Sequence, residues 1–94
     1  MIASLSGRIL EILNDSLLVG VGEIGLEVFV PAPSRQRLRP GESTFLYTSL
    51  IVRQDALILY GFDTREEREL FRLLLTVDGV GPKTALAVLS TSII

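Results

Sequence analysis

One short stretch decides how the C-terminal part of this chain folds, and it reads Asp78-Gly79-Val80-Gly81-Pro82-Lys83-Thr84-Ala85. Glycine tolerates backbone angles that other residues avoid, so two glycines around one apolar residue indicate a tight turn. Proline suits the first position of a helix, where its missing N–H costs nothing. The stretch therefore predicts a turn that opens a helix.

The start of this predicted helix has the chemistry of a phosphate site. Backbone N–H groups in a first helical turn lack partners within the helix, and the helix dipole is positive there. Phosphate binds such ends, and Lys83 adds a full positive charge. A preceding helix is predicted from Thr64 to Val77, because Thr64 and Glu67 form a capping box. Helix, Gly-x-Gly turn and helix indicate the helix-hairpin-helix arrangement, which grips nucleic-acid backbone without reading bases.

Apolar side chains on both predicted helices need a partner surface that buries them. In the first helix they share one face, which the helix after Pro82 is expected to cover: Leu70, Phe71, Leu74 and Leu75. In the second helix the apolar residues would have nothing downstream to cover them, so we expect a truncated chain: Leu86, Val88, Leu89, Ile93 and Ile94.

The earlier part of the chain reads as a small sheet. Segments rich in β-branched, leucine and aromatic residues cover residues 1–13, 17–21, 26–30, 44–53 and 56–62. A short helix over residues 33–38, with Ser34 as its cap, lies between the third and fourth segments. Gly7, inside the first segment, predicts a bulge or sharp bend. Three strands, a helix and two strands predict a five-stranded Greek-key barrel of the OB type.

The predicted fold class is therefore mainly β with C-terminal α. The barrel is expected over residues 1–63, and a partial helix-hairpin-helix domain over residues 64–94.

A second glycine pattern, Gly20-Val21-Gly22-Glu23-Ile24-Gly25, matches the G-x-G-x-x-G fingerprint of dinucleotide sites. That site needs a helix to begin at the glycines. Here an alternating segment from Leu26 to Val30 follows and then meets Pro31, which is typical of a strand. The pattern therefore predicts a hairpin turn.

The amino-acid composition limits the kinds of catalytic and binding site that the chain could form. The 94 residues contain no cysteine and no histidine, so thiolate metal sites and the commonest catalytic base are excluded. The P-loop pattern fails because Pro82 separates Gly81 from Lys83. We predict no catalysis, no metal, no cofactor, no signal peptide and no membrane span, and a cytoplasmic location. The net charge of −2 disfavours indiscriminate nucleic-acid binding, so DNA must be held by local backbone donors and a few cations.

Two further groups of residues each allow two interpretations. Arg35, Arg37 and Arg39 lie close together in the sequence, either in a solvated loop, which we favour, or as a phosphate-facing patch. OB barrels often bind nucleic acid on an aromatic face, but core is the favoured interpretation for most of the aromatic residues: Phe29, Phe45, Tyr47, Tyr60 and Phe62.

Several segments together resemble a known family by their order and spacing. They are Met1-Ile2, Leu26-Glu27-Val28 before Pro31, Val52-Arg53 with Asp55-Ala56, Leu59-Tyr60-Gly61-Phe62, Leu70-Phe71 and Gly79-Val80-Gly81-Pro82-Lys83. The chain resembles, over essentially its whole length, the N-terminal part of the RuvA family of bacterial Holliday-junction branch-migration proteins. The separation between the Tyr60-Gly61-Phe62 segment and the glycine turn is the most specific feature.

The resemblance implies a homotetramer, or an octamer of two such tetramers, that cups an open, square four-way DNA junction. This assembly would act together with the RuvB motor, which hydrolyses ATP, and with the RuvC resolvase. The three would function in recombination, DNA repair and the SOS response. The chain would be a non-catalytic subunit. It would contain the barrel and the first hairpin motif, without the second motif or the tethered domain that contacts the motor.

The resemblance also implies roles for individual residues. The backbone-gripping turn corresponds to Gly79, Val80, Gly81, Lys83 and Thr84. The tip between the fourth and fifth strands corresponds to an acidic pin, where two adjacent carboxylates usually lie. This chain has Gln54 and Asp55 there, so the repulsion of phosphates by the pin is expected to be weaker. From the residues alone, Asp55 would be an ordinary turn residue.

One alternative function comes from a different class. The acidic net charge is also compatible with an oligomerisation or protein-interaction module that binds DNA backbone only weakly.

Overall fold

The computed structural model describes residues 2–91, which form a barrel and two helices packed on its outside. The elements, in chain order, are β1 (Ser4–Ile12), β2 (Ser16–Val21), β3 (Ile24–Phe29), α1 (Ala32–Arg37), β4 (Ser43–Val52), β5 (Leu57–Phe62), α2 (Arg65–Leu74) and α3 (Pro82–Ser90). No helix within the described residues has both the length and the apolar character needed to cross a bilayer.

The five strands close into a barrel in the order β1-β2-β3-β5-β4. Four of the neighbouring pairs are antiparallel, and the closing pair of β3 and β5 is parallel. This closure confirms the predicted fold class, a five-stranded OB-type barrel with C-terminal helices. The interior is filled by apolar side chains from every strand: Leu5, Ile9, Leu17, Val19, Val28, Leu46 and Leu59.

The second glycine pattern forms a hairpin, as predicted. Strands β2 and β3 pair from Ser16↔Phe29 to Val21↔Ile24, which leaves Gly22 and Glu23 as a two-residue turn. Gly22 has φ +62, the left-handed angle that the first position of a type II′ turn requires. No helix begins at these glycines, so the dinucleotide interpretation fails.

The bend predicted at Gly7 lies elsewhere in β1. The register of β1 against β2 shifts between Ile9 and Glu11, so the extra residue is Leu10. Gly7 serves another purpose, because a Cβ there would lie 2.4 Å from the carbonyl oxygen of Gly20. The glycine allows two strands of the barrel to approach closely, while the bulge three residues later bends the strand.

The prediction of Ser34 as a helix cap is wrong. Helix α1 begins earlier, after Pro31 at its N-cap, and Ser34 is buried inside it. Its hydroxyl donates a 2.7 Å hydrogen bond to the Asp63 carboxylate. A serine beside a proline is typical of a local helix cap, but the partner of the Ser34 hydroxyl is 29 positions away in the chain.

Helices α2 and α3 pack against the outer face of β5 and form a second core. Tyr60 and Phe62 of β5 meet Phe71 of α2, with ring centroids 5.0 and 4.9 Å apart. Leu86 and Leu89 of α3 are buried in the same cluster. The outer face of the sheet therefore covers both leucines, which were expected to have nothing downstream to cover them.

Other predicted apolar positions behave differently. Leu74 and Leu75 are half-buried against the second core, whereas Leu70 and Val88 stay exposed. Ile93 and Ile94, also expected to need cover, lie outside the described residues. Helix α2 ends at Leu74, three residues before the predicted end at Val77.

Candidate nucleic-acid interface

A tight turn joins the end of α2 to the start of α3. The N–H of Val80 donates to the carbonyl of Val77 over 3.1 Å, which closes a four-residue turn. Gly79 occupies its third position with φ +83, the angle that a type II turn needs there. A Cβ on Gly79 would meet no atom within 4 Å, so the backbone angle and not space selects glycine.

The turn leads directly into the first residues of α3. Gly81 is the N-cap in an extended conformation, Pro82 follows inside the first turn, and no side chain caps the helix. The first helical hydrogen bond runs from Ala85 N–H to the Gly81 carbonyl at 3.0 Å. Four backbone N–H groups here have no acceptor within residues 2–91: those of Gly79, Gly81, Lys83 and Thr84.

The residues that carry these free donors lie at the surface. Gly79, Gly81, Lys83 and Thr84 are all exposed, while Val80 is half-buried against the second core. Of the five residues predicted to bind DNA backbone, four therefore have a free amide. The amide of Val80 is used in the hydrogen bond that closes the turn. The arrangement can hold an anion at the positive end of a nine-residue helix.

Lys83 also borders a groove of about 500 Å³ between α3 and the barrel. Arg35 and Asp15 line the same groove from the barrel side, with Leu86 at its floor. The structure thus brings Lys83 near one of the three predicted arginines. The guanidinium of Arg35, however, donates to the carbonyl of Val30 at 2.6 Å.

The remaining two arginines are also held by the protein. Arg37 forms an ion pair with Asp63 at 2.7 Å. Arg39 donates to the carbonyls of Gln36 and Leu38 at 3.2 and 3.3 Å. All three guanidinium groups therefore have partners that hold α1 and its flanks in place, and a phosphate-facing role for them stays a prediction.

The predicted pin lies at the tip of the β4–β5 hairpin. The N–H of Arg53 donates to the carbonyl of Ala56 at 2.8 Å, which leaves Gln54 and Asp55 as a two-residue tip. Both are exposed. The tip and the α2–α3 turn come from separate elements, and the structure does not bring their predicted site residues into contact.

Asp63 joins the barrel to the helices, a role that sequence analysis missed. Its carboxylate accepts from the Ser34 hydroxyl and pairs with Arg37, both at 2.7 Å. Its N–H donates to the Glu67 carboxylate at 3.1 Å, beside the capping box that Thr64 forms with the same glutamate. The only local signal was the capping box, since the partners on α1 are distant in sequence.

The aromatic residues divide between core and surface. Tyr60 and Phe62 are buried, and Phe29 packs against Tyr60 at a centroid distance of 5.8 Å. Phe45 is 49% exposed and meets Tyr47 edge-on at 5.0 Å. Core is therefore the correct interpretation for three of the five.

Two arginines of α2 lie against Tyr47. The guanidinium carbons of Arg65 and Arg68 are 5.6 and 5.5 Å from the centre of its ring, within cation–π range. Arg68 also donates to the Ala3 carbonyl at 2.8 Å. Sequence analysis did not single out these contacts, which tie α2 to the start of β1 and to β4.

In the part of the chain that the structure describes, no group of three or more carboxylate side chains lies close enough together to hold an ion.

The closed barrel and the exposed glycine turn define the class of protein. It is an OB-type barrel followed by two helices, α2 and α3, which are joined by a tight turn with free amides. Comparison with known families specifies it further. The family model described as RuvA N terminal domain matches residues 1–61, so the chain belongs to the RuvA family.

Curated relatives agree with this assignment. Proteins called Holliday junction branch migration complex subunit RuvA are 53% identical over 93 residues in Symbiobacterium thermophilum and 50% identical over 91 residues in Chlorobium limicola. The Deinococcus radiodurans protein of the same name is 48% identical over 90 residues. Each alignment covers 96–98% of this chain but 45% of the relative, so the chain spans about half the length of these relatives.

Proposed function

We propose that this chain binds the sugar-phosphate backbone of four-way junction DNA through the turn formed by residues 79–84. The observation that carries the proposal is the set of four exposed, unpaired amides at the start of α3, with Lys83 beside them. Amides of this kind bind phosphate oxygens irrespective of base sequence, which suits a protein that must act at any sequence.

The relatives' names supply the biological context for this proposal. They are called subunits of a Holliday junction branch migration complex. By extension, this chain is a non-catalytic, cytoplasmic scaffold that assembles as a tetramer and orients the junction for the RuvB motor, beside the RuvC resolvase. Symmetric assembly matters because one turn contacts few phosphates, whereas several linked copies raise the effective concentration of each further contact.

The exposed tip of Gln54 and Asp55 supports a second part of the proposal. Four symmetric copies of one carboxylate near the crossover would discourage phosphates from closing over it. At a few ångströms in water, each such repulsion is on the order of 1 kcal/mol. The tip would therefore favour the open form of the junction over duplex DNA.

The test is a gel-shift comparison of four-way junction with linear duplex of the same sequence, run over a series of salt concentrations. We expect tighter binding to the junction, and a steep fall in affinity as salt rises, because bound phosphates release counterions. Mass measurement of the free protein in the same buffer reports the assembly state. Binding that favours duplex would refute the preference for junctions, and binding that salt does not weaken would refute backbone binding by the turn.

One observation favours the alternative function, a module for protein assembly. Leu70 and Leu73, near the end of α2, are 42% and 64% exposed, and Val77, three residues beyond the helix, is 52% exposed. Such an exposed apolar group is suited to a protein partner. An assembled protein with no measurable affinity for junction DNA would favour this alternative.

A further inference from the structure

The β4–β5 hairpin ends in a finger that the rest of the chain leaves uncovered. All six residues from 52 to 57 are exposed, on both faces of the hairpin. Below them the pairing continues through Leu50↔Leu59, where Leu59 is buried in the barrel. The finger is therefore an extension of the sheet beyond the barrel, closed at its end by the bond from Arg53 N–H to the Ala56 carbonyl.

This finger carries no net charge. Between residues 52 and 57, Arg53 contributes one positive charge and Asp55 one negative charge, which sum to zero. Opposite charges two residues apart largely cancel at distances beyond the width of a hairpin, and salt screens what remains. The finger as a whole therefore exerts little long-range repulsion, and the repulsion by Asp55 acts only on phosphates within a few ångströms of its carboxylate.

Two apolar side chains dominate the finger instead. Val52 and Leu57 are cross-strand partners, and their side chains are 64% and 70% exposed. No large apolar side chain within residues 2–91 is more exposed than Leu57. Because side chains alternate along a strand, the pair continues the row of Leu50 and Leu59, which faces the barrel interior lower down.

We propose that Val52 and Leu57 form an apolar wedge that enters the base stack at the branch point of a four-way junction. Apolar side chains inserted between base steps unstack them in many DNA-bending proteins, and the faces of unstacked bases are apolar enough to cover such side chains. A finger of zero net charge can approach closely packed phosphates that would repel a doubly acidic tip. The wedge rests on the proposed function, since it requires that the chain binds junctions.

The test uses junctions carrying aminopurine, a fluorescent adenine analogue that stacking quenches, beside the branch point. We expect wild-type protein to raise the fluorescence several-fold at the branch and not in the middle of an arm. Leu57→Gln should lose most of that rise while binding the junction as the wild type does, because the turn at residues 79–84 is untouched.

Ile24→Gln is the matched control, since Ile24 is 63% exposed beside the two-residue turn of the β2–β3 hairpin. This variant should keep the full fluorescence rise. Val52→Thr, nearly isosteric, provides a second wedge variant if Leu57→Gln does not fold, and it should reduce the rise as well.

The outcomes separate the wedge from the proposed function. Wild-type protein that shifts the junction without raising the fluorescence would overturn the wedge alone. Absence of any junction shift would overturn both ideas. A lower assembly mass for Leu57→Gln, with Ile24→Gln unchanged, would identify the pair as a contact between copies of the chain and would also overturn the wedge.

Discussion

Lys83 is the residue whose role in binding can be tested most directly. Lys83 is exposed and its own amide is one of the four unpaired ones, so its charge is available to the phosphate that those amides would hold. We expect Lys83→Ala to weaken binding to junction and duplex alike, by about 1.5 kcal/mol or roughly tenfold for each engaged copy. The slope of log affinity against log salt should become shallower by about one.

Arg72→Ala is the matched control for this prediction. It removes the same charge from α2, where Arg72 pairs with Glu69 at 3.2 Å, outside the turn. Gel shifts over a salt series measure both variants. Equal effects of the two substitutions would mean that only the overall charge of the protein matters.

Tyr60 makes the stability of the fold depend on alkaline pH. Burial raises the pKa of Tyr60 above its ordinary value of 10.0, and the Arg53 guanidinium partly opposes that shift. The unfolded chain therefore ionises this phenol first. The stabilisation by Tyr60 is complete below about pH 10 and is lost as pH rises through the higher pKa of the folded state.

Thermal melts between about pH 9 and about pH 11.5 measure this dependence. Tyr60→Phe should show a smaller fall in melting temperature over that range than the wild type. Tyr47→Phe controls for the simple loss of a phenol. If the two variants respond to pH in the same way, Tyr60 is not the source of the dependence.

At the scale of single residues, prediction succeeded where the cause was local. The glycine-proline-lysine sequence predicted a turn before a helix, and the structure has one. The use of the Val80 amide to close that turn, and the bond from Ser34 to Asp63, could not be predicted because they depend on three-dimensional contacts. The roles of the turn residues and of the arginines in binding DNA stay predictions.

Among the elements, α2 has the most testable local stabilisation. The Thr64 hydroxyl accepts from the Glu67 N–H at 3.1 Å, and the Glu67 carboxylate accepts from the Thr64 N–H at 3.3 Å. We expect Thr64→Ala to lower the free energy of unfolding by about 1 kcal/mol, since one amide loses its partner. Urea denaturation measures the change.

Ser6→Ala is a suitable control for the capping prediction, because Ser6 is an exposed hydroxyl residue on β1. It should leave the denaturation midpoint nearly unchanged. A loss for Thr64→Ala no larger than that for Ser6→Ala would show that the capping box contributes little in water.

For the strands and helices, the type of each element was predictable from the sequence, whereas the residues at which it begins and ends were not. Segments rich in β-branched, leucine and aromatic residues predicted all five strands, and the alternating strand after Gly25 correctly ruled out a dinucleotide site. The position of the bulge at Leu10 could not be predicted, because strand pairing decides which residue is left unpaired. The burial of Leu86 and Leu89 depends on the outer face of β5, which a sequence pattern does not reveal.

For the whole molecule, the preference for junctions over duplex tests the pin. We expect Asp55→Asn to leave junction affinity equal or slightly higher, while the ratio of junction to duplex affinity falls about two- to fivefold, the effect of removing roughly 1 kcal/mol or less of repulsion. Competition gel shifts with both DNA forms measure that ratio.

Glu23→Gln gives a control for the pin, because it neutralises an exposed carboxylate at the tip of the β2–β3 hairpin. Its ratio of affinities should match that of the wild type. A clear loss of junction affinity in Asp55→Asn would contradict a repulsive role for the carboxylate.

The barrel and the helices are joined by more than the second core. A division between residues 63 and 64 was predicted, and it stays a prediction. Asp63 bonds to α1 through Ser34 and Arg37 and to α2 through Glu67. A substitution on one side of this boundary should therefore change the stability of the structure on the other side.

A hydrogen bond between the end of α3 and the start of α1 has a mechanical consequence. The Ser90 hydroxyl, at the end of α3, accepts from the N–H of Ala32 at 3.0 Å and donates to the Leu86 carbonyl at 2.9 Å. We expect a pull on the end of α3 to load the start of α1 directly, in addition to the second core that holds Leu86 and Leu89. Part of the tension can then reach the barrel by this short route, without passing through the loop that presents the free amides.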